Sequence, residues 1–60
     1  MIPSQKIRVM VVDDSMLARS LIMQGLSRHP RIEVVGYALN ALDARAKLPS
    51  LKPDVMTLDV

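Results

Sequence analysis

The stretch Val9–Arg19, VMVVDDSMLAR, joins an aliphatic run to two adjacent carboxylates and then to a helical pattern. The residues leading into the acids, KIRVMVV from Lys6 to Val12, are β-branched and aliphatic with little polar alternation, which marks a strand covered on both faces. Asp13 and Asp14 therefore stand where a buried strand hands over to a helix. Like charges side by side repel, and partial burial makes each harder to ionise. A positive partner is expected beside them.

Working outward, Ser15, or Asp14 before it, can cap a helix by accepting from free backbone N–H groups. MLARSLIMQGLSR carries that helix to about Arg28, with Ala18, Leu21, Ile22, Gly25 and Leu26 on one apolar face. Arg19, Ser20, Gln24 and Ser27 are expected largely away from it. Pro30 disfavours helical geometry at His29 and ends the helix. A second β-branched run, IEVVGYA from Ile32 to Ala38, reads as a strand. Asn40 caps a second helix, ALDARAKL, whose Ala41, Ala44 and Leu48 share a face, and Pro49 and Pro53 bracket the next connection. DVMTLDV then reads as a third strand with Asp59 at its end. Alternating strands and helices with short links imply an α/β fold, a parallel sheet with right-handed crossovers.

The composition excludes several classes of function. With no cysteine among 60 residues, neither a disulfide framework nor a thiolate metal site can form, which fits a reducing, cytoplasmic setting. Tyr37 is the one aromatic residue, so stacking platforms for single-stranded nucleic acid are missing. The net charge of +2 comes from scattered Lys and Arg rather than a basic run, so no nucleic-acid partner is expected. No apolar run approaches the roughly 18 residues of a membrane span, and MIPSQKIR lacks the pattern of a secretory signal, so membrane insertion is not expected. No Gly-rich loop follows the first strand to cradle a nucleotide's phosphates.

What remains is acidic. In doubly wound sheets ligands bind outside the carboxyl ends of the strands, where strand order reverses. If the strands lie in the order 2-1-3, Asp13, Asp14 and Asp59 converge there. Clustered acids suit a hard divalent cation such as Mg²⁺, which takes oxygen ligands and keeps waters that a phosphate can replace. Helix capping is the competing explanation of the Asp-Asp pair, and a turn role that of Asp59. The joint pattern favours a site.

VMVVDDSMLAR and PDVMTLDV resemble the two opening signatures of response-regulator receiver domains. The resemblance covers essentially the whole chain, residues 1–60, and implies the first half of a flavodoxin-like (CheY-like) receiver, a βαβαβ unit truncated after the third strand. It implies that Asp13 and Asp14, with Asp59, hold Mg²⁺, and that Asp59 is the phosphoacceptor for a histidine kinase of the chemotaxis type. PRIEVVGYALNALDA and Thr57 are similar to chemotaxis protein-glutamate methylesterases, whose parent chains join a receiver to a C-terminal methylesterase domain acting on chemoreceptors. Any such hydrolase machinery would lie beyond Val60. The family's Ser or Thr on a fourth strand, its Lys on a fifth and a carbonyl two residues past the phosphoacceptor have no counterpart here. The segment alone is therefore expected to hold Mg²⁺ weakly and to accept phosphoryl groups poorly.

Two other readings stand beside this one: the receiver of a DNA-binding regulator, and a structural half-domain forming a homodimer through its third-strand edge. An aspartate-nucleophile phosphatase fits less well, because its two acids are spaced Asp-x-Asp while Asp13 and Asp14 are adjacent. His29 reads as an exposed loop residue. Met10, Met16, Met23 and Met56 read as gap fillers. Met16 and Met23 are the two expected nearest a partner, and Arg19 is expected on a solvated surface.

Overall fold

The structure, a computed structural model, describes residues 6–59. Its elements are β1 (Ile7–Asp13), α1 (Met16–Ser27), β2 (Ile32–Ala38), α2 (Ala41–Leu51) and β3 (Val55–Asp59). The strands are parallel, as the alternation of elements implied, and lie in the order β2-β1-β3.

β1 is central because it is the strand least able to face water. Met10, Val11 and Val12 are fully buried and Val9 almost so. Each such side chain contributes roughly 1.5–3 kcal/mol on burial, against about 1 kcal/mol net for one hydrogen bond, so packing rather than pairing places this strand. Side chains alternate between the faces of a strand. Met10 and Val12 pack with Ala38, with Ala44 of α2 and with Leu51 at its end. Val9 and Val11 take the other face. Right-handed crossovers out to β2 and back past β1 to β3 put the two helices on opposite faces. Both helices rest on β1 and β2, and neither touches β3. Val55, Met56 and Leu58 on β3 consequently remain exposed.

The β1–β2 ladder shifts register between Val9, opposite Val34, and Met10, opposite Gly36, which leaves Val35 as the extra residue of a bulge. The shift sets Gly36 under the end of α2. A Cβ built there would stand 2.7 Å from Leu51 Cδ1, so the missing side chain is what lets Leu51 reach the core.

α2 runs three residues past the expected Leu48, through Pro49 to Leu51. Proline removes a single donor, and in the last turn the loss is offset elsewhere. The Lys52 N–H donates to Leu48 O at 2.9 Å, with Lys52 in the left-handed region at φ 48°. Arg8 supplies the rest. Its Nη2 donates to Leu51 O at 2.6 Å and its Nε to Lys52 O at 3.3 Å, bringing a cation to the negative end of the helix dipole. The backbone of Arg8 also exchanges hydrogen bonds with Asp54, which starts β3 beside β1. At the other end, Asn40 Oδ1 accepts from the Asp43 N–H, and Asp43 Oδ2 accepts from the Leu39 N–H, both at 2.9 Å, a reciprocal cap.

α1 keeps its expected start but is turned about its axis. Ala18, Ile22 and Leu26 are half-buried as expected, yet Leu21 is 61% exposed and Gly25 is exposed. Arg19, expected at a solvated surface, is buried instead, and Met23, expected to face a partner, is half-buried beside it. The guanidinium of Arg19 finds partners under the helix that outweigh the apolar count of the opposite flank.

Two expectations follow. Gly36→Ala should cost about 1 kcal/mol because Leu51 must leave its rotamer, and in a Leu51→Ala background the same change should cost nothing; denaturant unfolding of the four variants measures that coupling. The Asp43 carboxyl is held below its ordinary range, first by the hydrogen bond from the Leu39 N–H and then by Lys47, whose Nζ is 3.1 Å from Oδ2. A depressed acid stabilises the fold above its unfolded value near 3.8 and loses that contribution as pH falls through the lower folded value. The stability gap between the wild type and Asp43→Asn should therefore be full at neutral pH and shrink below about pH 4, read by unfolding across that range.

Candidate functional site

Asp13 is the last residue of β1 and pairs in register with Asp59, the last residue of β3. Neighbouring strands run about 4.8 Å apart. Two of the three chain positions expected to supply carboxylates are thus adjacent at the carboxyl edge of the sheet. The Asp59 side chain and Val60 lie outside the described residues.

Ser15, not Asp14, caps α1. Its backbone is extended, and its Oγ accepts from the Ala18 N–H at 3.3 Å. Asp14 is exposed one position earlier, next to the cap. Asp13 is only 2% exposed. Its Oδ1 accepts from the Ser15 N–H at 2.9 Å, a local turn that aims the carboxylate back over the strand end. Its Oδ2 is buried and has no partner among the described residues.

That orphaned oxygen separates the two explanations of the acidic pair. Capping and turn formation account for Ser15 and for one oxygen of Asp13. They leave the other buried and unsatisfied, at a cost of about 1–3 kcal/mol and more for a charged group. A cation beside Oδ2 would remove the cost. The donors here are carboxylate oxygens, the chemistry that hard divalent ions take. Among the described residues no group of three His, Cys, Asp or Glu stands together to hold a metal.

Sequence reasoning missed Arg19. Its side chain reaches back under the first turn of α1, where Nη1 donates to the backbone oxygen of Asp13 at 3.0 Å. The guanidinium lies over the Tyr37 ring, with Cζ 4.4 Å from the centroid. Lys47 approaches the same ring at 4.9 Å and donates to Tyr37 O at 2.7 Å. Each such stacked cation contributes roughly 0.5–2 kcal/mol, more when dry. The available signal was the pairing of Arg19 with the one aromatic residue, on a strand that follows the helix. Thr57 was singled out for its type; its hydroxyl is buried without a partner among the described residues, in register with Val11.

The remaining candidates behave as expected or fall away. His29 is exposed, and its Nδ1 accepts from the Arg31 N–H at 3.2 Å, a loop-closing role. Met10 fills the core, while Met16 is 72% exposed. A shallow groove of about 300 Å³ between β2 and α2, lined by Gly36, Tyr37, Lys47, Ser50 and Leu51, contains no acid. No helix among the described residues is long and apolar enough to cross a membrane.

No family model matches the chain. Individual proteins do. Over 55 residues, 92% of the chain, it is 56% identical to protein-glutamate methylesterase/protein-glutamine glutaminase 1 of Caulobacter vibrioides. Over 54 residues, 90% of the chain, it is 54% identical to protein-glutamate methylesterase/protein-glutamine glutaminase of Geobacillus kaustophilus. The chain spans 16% of the length of each. Among solved structures, the response regulator domain of Thermotoga maritima CheB superposes with a TM-score of 0.87 at 43% identity, over 93% of this chain and 42% of that one. In sequence and in fold, the chain matches the response-regulator receiver part of CheB protein-glutamate methylesterases.

Proposed function

We propose that these 60 residues are the amino-terminal part of a receiver domain in which Asp59 accepts a phosphoryl group and Asp13 and Asp14, with Asp59, hold Mg²⁺. The observation that carries this reading is the buried Oδ2 of Asp13, without a partner among the described residues, at a strand end paired with that of Asp59. In the reaction, a carboxylate oxygen of Asp59 attacks phosphorus; the new O–P bond forms as the bond to the phosphodonor, a kinase histidine, breaks. Bound Mg²⁺ supplies neutralisation of the charge on the transferring oxygens. Asp13 contributes a carboxylate already oriented by the Ser15 N–H, and Asp14 a second one at the mouth of the site.

The parent protein, on this reading, is a cytoplasmic protein-glutamate methylesterase and glutamine deamidase that acts on chemoreceptors, and phosphorylation of its receiver by a chemotaxis-type histidine kinase activates its C-terminal domain. Support comes from the names of the proteins that the chain resembles and from the receiver fold. A second reading, a homodimer through β3, is favoured by the exposure of Val55, Met56 and Leu58. It requires a mass in solution that rises with concentration, and a constant monomer mass would exclude it.

The test is phosphorylation of the full-length protein by a small phosphodonor at varied Mg²⁺. Asp59→Asn should abolish incorporation. Asp13→Asn should fold normally and need more Mg²⁺ for half-maximal incorporation, by roughly 10-fold or more. Undiminished labelling of Asp59→Asn would reject Asp59 as acceptor, and an unchanged Mg²⁺ requirement would reject Asp13 as ligand.

A further inference from the structure

We propose that Arg19 is a positioning residue for the acidic end of β1: it holds the backbone of Asp13 so that the Asp13 carboxylate is presented ready-made to a divalent cation. The inference rests on the reading of Asp13 as a metal ligand and adds to it a residue that touches neither metal nor phosphoryl group.

The geometry is specific. Asp13 is the hinge between a strand and a helix: it is the last residue of β1 and the last rung of its pairing with β3. Arg19 Nη1 takes that carbonyl at 3.0 Å from six residues along the chain, while the Ser15 N–H takes Oδ1 at 2.9 Å. Backbone and carboxylate of one residue are thus each held by a separate donor. Only Oδ2 is left over. The arginine is itself held. It is 8% exposed, and its guanidinium is stacked on Tyr37, whose carbonyl is tied to Lys47 of α2. No carboxylate among the described residues forms an ion pair with it. Burying an unpaired guanidinium is costly unless it is hydrogen-bonded. The interactions that offset this cost here are the Asp13 carbonyl and the Tyr37 ring.

A planar, forked donor stacked on a ring has few rotamers left, so the hinge it holds has few as well. A lysine in its place would keep the charge and a donor but lose the planar guanidinium stack and the forked geometry. Partners that orient a ligand without touching the ion change metal affinity by 10–100-fold in known sites.

The experiment measures Mg²⁺ binding to the full-length protein by calorimetry, alongside thermal unfolding, for wild type, Arg19→Met, Arg19→Lys and Tyr37→Leu. Arg19→Met should raise the Mg²⁺ dissociation constant roughly 10-fold, Arg19→Lys should recover part of that, and phosphorylation should return to the wild-type maximum at saturating Mg²⁺. A lower melting temperature with an unchanged dissociation constant would overturn the proposal and leave Arg19 a packing residue. If Arg19→Met does not fold, Tyr37→Leu decides: the dissociation constant should rise by a smaller factor, and no change overturns the inference. Wild-type protein that binds no Mg²⁺ would reject the metal reading itself, a different outcome from binding that ignores Arg19.

Discussion

Everything in this molecule depends on the burial of β1. Val9, Met10, Val11 and Val12 present apolar side chains to both faces, so the strand is stable only with a neighbour on each edge and a helix on each side. A strand placed this way cannot be first or last in its sheet. Right-handed crossovers then leave β2 and β3 to flank it, and the ends of β1 and β3 fall side by side. The acidic edge is a consequence of that packing.

The same burial makes the site chemically demanding. Asp13 continues the alternation of Val9 and Val11 and is carried into the interior with them. A carboxylate there must be compensated atom by atom. Ser15 serves one oxygen, Arg19 serves the carbonyl, and the second oxygen has no partner among the described residues. On the reading proposed above, that incomplete satisfaction is what would let Asp13 take a cation: a fully bonded Asp13 would be a better turn residue and a poorer ligand.

Away from the site, long polar side chains do the joining. Arg8 ties the end of α2 and the start of β3 to β1, with Asp54 closing the loop. Lys47 links α2 to Tyr37 and to Asp43. These contacts lie at half-exposed positions and are individually weak. They matter because β3 receives no cover from either helix and is held through β1 alone.

Element order, parallel pairing and the positions of the three acids follow from local properties of the sequence: β-branched runs, helical spacing, caps and proline. IEVVGYA could be read to the residue because a strand's pattern is complete within itself. The helix faces could be read only in part. Leu21 is exposed and Arg19 buried because the rotation of α1 was decided by Tyr37, 18 positions away in sequence, and by the carbonyl of Asp13. α2 outran Pro49 because Arg8, 43 residues from Leu51, supplied donors for its last carbonyls. Periodicity records how apolar each side of a helix is. Where a charge finds its hydrogen bonds is set by groups distant in sequence, and only tertiary structure brings those together.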